Sequence, residues 1–95
     1  MTTKERAKLK SIASNLSDNV FVGKEGVSDN VVQQTEENLF AHEIVKVRVL
    51  KNYKDELKEI ADALATRTES QVVQIIGNKI VLYKVSNKDK IVHLL

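Results

Sequence analysis

The sequence predicts one α/β domain with the element order α-β-α-β-α-β-β. Three observations carry that expectation. Apolar residues recur at helical spacing in three separate segments, two β-branched runs stand between them, and a glycine turn joins two apolar runs at the end. No repeat period, low-complexity stretch or linker interrupts the 95 residues. Strands joined by helices are expected to be parallel, with the last strand returning antiparallel.

Residues 4–16 read as the first helix, because Leu9, Ile12, Ala13 and Leu16 fall at i, i+3, i+4 and i+7. Lys4, Lys8 and Lys10 then point away from that stripe. Val20–Val22 is a short strand. Ser28 is a good N-cap and Asp29 suits the positive end of the helix that follows, which runs to about Ala41 with Val31, Val32, Thr35 and Leu39 inward. Glu43–Lys51 is the clearest strand: Val45, Val47 and Val49 share one face, Lys46 and Arg48 the other. Asp55 to about Thr68 is a helix on the stripe Leu57, Ile60, Ala61 and Leu64.

Gln71–Ile76 and Lys79–Val85 flank Gly77-Asn78, where glycine in the first loop position suits a type II′ hairpin. That register pairs Ile75 with Ile80, Val73 with Leu82 and Gln71 with Lys84. One face is then Val73, Ile75, Ile80 and Leu82, and the other the mixed set Val72, Gln74, Lys79, Val81 and Tyr83. Helices belong on the first face and something lighter on the second. Residues 86–95 form a C-terminal extension expected to dock through Ile91, Val92 and Leu94.

Composition narrows the function classes. The chain is long enough to bury about 60–70% of its unfolded surface in one domain. It has no cysteine, which excludes disulfides and thiolate metal sites and suits a reducing, cytoplasmic location. No apolar run approaches the roughly 18 residues of a membrane span, and the charged N-terminus lacks the apolar core of a signal peptide. Charge alternates by element within a net +2. Lys4, Arg6, Lys8 and Lys10 oppose only Glu5, whereas the second helix carries Asp29, Glu36 and Glu37 with no Lys or Arg. A basic surface on one side of the molecule is expected.

Two of the three glycines bracket Gly23-Lys24-Glu25-Gly26, between a strand and a capped helix. Glycines there let an anion approach backbone amides without a Cβ in the way. The tetrapeptide is not a Walker A loop, which needs four residues before Gly-Lys-Ser/Thr.

Three motifs, in order and at this spacing, resemble the CRM family (chloroplast RNA splicing and ribosome maturation), especially its small free-standing YhbY-like members. They are Val22-Gly23-Lys24-Glu25-Gly26-Val27-Ser28, then His42-Glu43-Ile44-Val45-Lys46-Val47-Arg48-Val49, then Ile76-Gly77-Asn78-Lys79-Ile80-Val81-Leu82-Tyr83-Lys84. The resemblance covers nearly the whole chain. It implies a mixed four-stranded sheet like that of the C-terminal domain of translation initiation factor three. It also implies RNA binding, with ribosomal RNA in precursors of the large subunit as the partner. Glu25 departs from what a phosphate loop wants, and Ser28 and Lys84 stand where the family often has Thr and Arg.

The expected RNA surface is Gly23, Lys24, Glu25 and Gly26 with Lys4, Lys8, Lys10, Lys46 and Arg48, provided that the first helix and the mixed face adjoin the loop. Phe21, Phe40, Tyr53 and Tyr83 are the only aromatics, which argues against a stacking platform and toward backbone or shape recognition. Tyr83 is either a rim residue or an RNA contact. Catalysis is not expected: His42 and His93 stand without a metal-spaced cluster. Asp55, Glu56, Glu59 and Asp62 fall on the polar side of an amphipathic helix. No cofactor, small-molecule substrate or membrane is expected, and the protein is taken as a monomer. The rival reading is a protein-interaction module that turns the same basic face to an acidic partner.

Overall fold

In a computed structural model that describes residues 1–50 and 54–95, with the side chains of Lys54 and Asp55 also outside the description, all seven expected elements are present. They are α1 (Thr3–Ala13), β1 (Val20–Val22), α2 (Asp29–His42), β2 (Ile44–Val49), α3 (Lys54–Thr68), β3 (Gln71–Ile76) and β4 (Lys79–Tyr83). Lys51, the expected end of the second strand, and Tyr53 lie outside the described residues. The strands form one mixed sheet in the order β1-β2-β4-β3. β1 runs parallel to β2, and β4 runs antiparallel to both β2 and β3.

The sheet is covered on both faces. Val20, Val22, Val45, Val47, Val49, Ile80 and Leu82 pack with the inward stripes of α2 and α3 into the larger core. On the other face, Leu9 and Ala13 of α1 pack with Ile44, Val73, Val81 and Tyr83. Side chains cap the starts of α1 and α2. Thr2 and Glu5 form a reciprocal capping box at the start of α1. Ser28 caps α2 by accepting from the Val31 amide. α1 stops at Ala13, so Leu16 falls beyond it and is exposed rather than part of its stripe.

The hairpin register departs from the expectation. Ile75 pairs with Ile80 as predicted, but an irregularity between Val72 and Gln74 inserts one residue into β3. Val72, not Val73, therefore pairs with Leu82, and Gln71 pairs with Tyr83 rather than with Lys84. Val72 joins the two-helix core, while Val73 turns to the α1 side beside Val81 and Tyr83. The bulge leaves successive carbonyls to be satisfied, and Arg6 of α1 takes both: Nη1 donates to Val72 O at 2.8 Å and to Val73 O at 2.7 Å. Pattern reading places Arg6 on a basic surface; its guanidinium instead stabilises a bulge 66 residues away in sequence. Gly77 has φ 58, as the first central position of a type II′ turn requires.

Glu43 ties the two ends of this architecture together. It lies at the α2–β2 junction in the left-handed conformation (φ 67), not in the strand. Its amide donates to Leu39 O and its carbonyl accepts from the Lys84 amide. The side chain is fully buried and accepts from the Ser86 amide (2.7 Å), the Leu94 amide (2.9 Å) and His93 Nδ1 (2.6 Å). The extension is therefore held through this polar grip, with Leu94 packed on the α1-side core. Val92, an expected docking residue, is 86% exposed, and Ile91 is half-buried. Burial opposes ionisation of Glu43, but the Ser86 amide, His93 and the Leu94 amide outweigh it, so its pKa lies below the ordinary glutamate value of 4.5.

Replacing Glu43 by Ala strands the buried Ser86 amide and the half-buried Leu94 amide, and urea denaturation is expected to show a loss of about 2–4 kcal/mol. Because the folded pKa is the lower one, the ionic part of this stability is complete above 4.5 and is lost as pH falls through the folded value. The stability gap between wild type and Glu43→Gln should then narrow on acidification, and a pH-independent gap would contradict the assignment.

Candidate nucleic-acid interface

The Gly23–Gly26 segment is a tight turn at the end of β1. The Gly26 amide donates to Gly23 O at 3.0 Å, and the Ser28 amide donates to Gly26 O at 3.0 Å on the way into α2. Lys24 and Glu25 occupy the two central positions and are exposed. Among the described residues the amides of Lys24, Glu25 and Val27 find no backbone acceptor. The two glycines serve different ends. Gly26 has φ +67, where a side chain is strained, whereas Gly23 has no positive φ and, among the described residues, no neighbour within 4 Å of a Cβ added there. The backbone therefore requires Gly26, while the described residues make no demand for Gly23. From α3, Arg67 braces the exit of the turn, donating to Val27 O at 3.0 Å and to Asp29 Oδ1 at 2.7 Å. That contact neutralises Asp29, the first acid after the turn. The pair is largely exposed, so its stability contribution is below about 1 kcal/mol.

Strand register gathers more charge at the same end of the sheet. Val22 lies beside Val49, Arg48 beside Lys79, and Lys79 beside Ile76. The Val49 amide donates to Asn78 O at 2.8 Å, and the Leu50 amide to Val22 O at 2.8 Å, so the glycine turn and the hairpin tip flank the end of β2. On the α1 side, a groove between the end of that helix and the hairpin is lined by Lys10, Lys46, Gln74, Ile76, Asn78 and Lys79. Arg48 is exposed on this face, as the alternation of β2 predicts.

The expected cations do not all stand free there. Lys46 is half-buried, and its Nζ donates to Ala13 O at 3.1 Å and Leu16 O at 3.3 Å. Its charge thus caps the negative end of α1. Lys4 and Lys8 lie at the start of α1 beside Leu95, toward the end of the sheet where Arg6 meets β3, and so away from the glycine turn. Lys10, Lys24 and Arg48 therefore form the exposed part of the expected surface near the turn. Sequence reasoning left Lys79 out of the site, although its pairing with Arg48 follows from the hairpin. Its ammonium lies 3.5 Å from Asp18 Oδ1, a buried oxygen with no hydrogen-bond donor among the described residues. Tyr83 is 8% exposed within the α1-side core, which removes it as an RNA contact. Burial raises its phenol pKa, with the Glu43 and Glu5 carboxylates adding to the effect.

A short α/β domain with a glycine turn and a cationic groove at one end of a mixed sheet fits a polyanion-binding class. The model of the CRS1 / YhbY (CRM) domain matches residues 1–84. The chain belongs to that family. It is 44% identical over 94 residues to a Bacillus subtilis (strain 168) protein named "Probable RNA-binding protein YqeI", covering 99% of this chain and 98% of that one. A Haemophilus influenzae protein named "RNA-binding protein" is 33% identical over 91 residues, 96% of this chain and 92% of its own. The solution structure of the hypothetical Staphylococcus aureus protein SAV1595, a candidate RNA-binding protein, superposes with a TM-score of 0.82 at 38% identity, covering 95% and 94% of the two chains.

The glycines and Lys46 make separable predictions for thermal unfolding. Gly23→Ala should melt like wild type, while Gly26→Ala should lose about 1 kcal/mol to its positive φ. Lys46→Met should lose about 1–2 kcal/mol, since the terminal carbonyl of Ala13 and the Leu16 carbonyl just beyond the helix are deprived of a charged donor. A silent Lys46→Met would show that the cap is not stabilising.

Proposed function

We propose that this chain binds RNA through the Gly23–Gly26 turn and the cations beside it, and that the RNA is ribosomal, held within precursors of the large subunit without turnover. The observation that carries the contact is Gly23. Among the described residues, neither backbone conformation nor packing calls for glycine there, yet a Cβ-free surface beside amides that find no backbone acceptor among those residues is what a phosphate needs. Lys24 at the tip of the turn and Arg48 on the adjoining strand supply charge, and Lys10 with Lys79 extends it along the groove. Family membership and the RNA-binding names of the relatives support the ligand class. The ribosomal target rests on the resemblance of the three motifs. Glu25 weakens the turn's attraction, and its exposed position lets its carboxylate turn toward solvent.

The test is affinity for ribosomal RNA across a salt series. Lys24→Ala and Arg48→Ala should each bind more weakly, with a salt slope shallower by roughly 0.7–0.9 for each phosphate no longer neutralised. Gly23→Asp should weaken binding while preserving the fold. Variants indistinguishable from wild type would remove this surface from the reading. Cosedimentation with large-subunit precursors tests the assembly role separately, and a pool that never associates would refute it.

A further inference from the structure

We infer that Phe21, with Arg48 beside it, forms a stacking site for a single unpaired nucleobase next to the phosphate-binding turn. The inference rests on the RNA reading and adds to it a preference for unpaired nucleotides. Strand alternation places Val20 and Val22 in the two-helix core, both fully buried, and turns Phe21 to the opposite face. There α1 packs over β2, β3 and β4, and Phe21 on the edge strand remains 48% exposed. Its register partner is Arg48, which is exposed and makes no ion pair among the described residues.

An aromatic ring beside a guanidinium offers a nucleobase a flat apolar surface and a cationic edge. The backbone joins this ring directly to the turn. Gly23 follows Phe21 by two residues, about 7 Å of extended chain, so one strand of RNA has room to place a phosphate on the turn and its base on the ring. Scarcity of aromatics still excludes a row of stacked bases; the geometry supplies one position. Phe40, the other exposed phenylalanine at 52%, stands on α2 beside Glu36 and Glu37, where phosphate is repelled.

The experiment compares a single-stranded oligoribonucleotide with a blunt RNA duplex of equal length. Phe21→Ala should lose about 5- to 100-fold affinity for the single strand and about twofold or less for the duplex. Phe40→Ala should leave both affinities unchanged. Because the chain contains no tryptophan, Phe21→Trp installs a single indole that can be excited apart from the two tyrosines and keeps an aromatic ring, and its emission should be quenched by the single strand but not by the duplex. Equal losses on both RNAs, or unquenched emission while the single strand is bound, overturn the stacking site and leave the turn's role intact. If wild type binds neither RNA, the underlying RNA reading falls together with this one.

Discussion

A buried carboxylate at a chain reversal holds this fold in its observed form. Glu43 closes α2, immediately precedes β2 and receives the returning chain after β4, all from one position in the left-handed conformation. Its side chain is buried, so the amides of Ser86 and Leu94 and the His93 ring supply the hydrogen bonds that ionisation demands. A hydrophobic residue there would satisfy the packing yet leave those amides without acceptors. Leu94 then completes the core under α1, so the polar grip and the apolar contact reinforce each other.

The basic residues divide into two populations that composition alone does not separate. Arg6, Lys46, Arg67 and Lys84 donate to backbone carbonyls at a bulge, a helix end, a turn exit and the end of α3. These cations work as internal braces, where direction and reach matter more than charge. Lys10, Lys24 and Arg48 are exposed and have no such duty among the described residues. The small net charge of +2 thus understates the field at the glycine end of the sheet. Conversely, a count of lysines overstates it, since Lys46 is already engaged.

Period and punctuation made the element order readable. Val20–Val22 and Gln71–Ile76 have the expected bounds because a two-residue alternation and a glycine turn delimit them. Thr35 and Leu39 face inward as the helical spacing requires. What escaped was whatever depends on a partner distant in sequence. The β3 bulge exchanges Val72 and Val73 between faces, and no feature of Gln71–Ile76 alone announces it; the cause includes Arg6 on another element. Glu43 looked like the first residue of a strand because its role is set by residues 86–94. Lys46 was on the correct face, but the helix end that occupies it comes from tertiary packing. Phe21 was visible as an aromatic, and only the edge position of β1 shows that it stays open.

The grip on Glu43 also bears on where the domain ends. The family model stops at residue 84, and the donors that satisfy this carboxylate lie at Ser86, His93 and Leu94. The family model therefore draws its border inside the unit that Glu43 ties together, whereas the similarity to the Bacillus subtilis relative runs on through 94 residues. Chimeras spliced at residue 84 would inherit a negative charge sealed in the interior with its stabilising dipoles left behind. The last ten residues act as a keystone: they lie beyond the family model, yet the scaffold that carries its motifs closes on them.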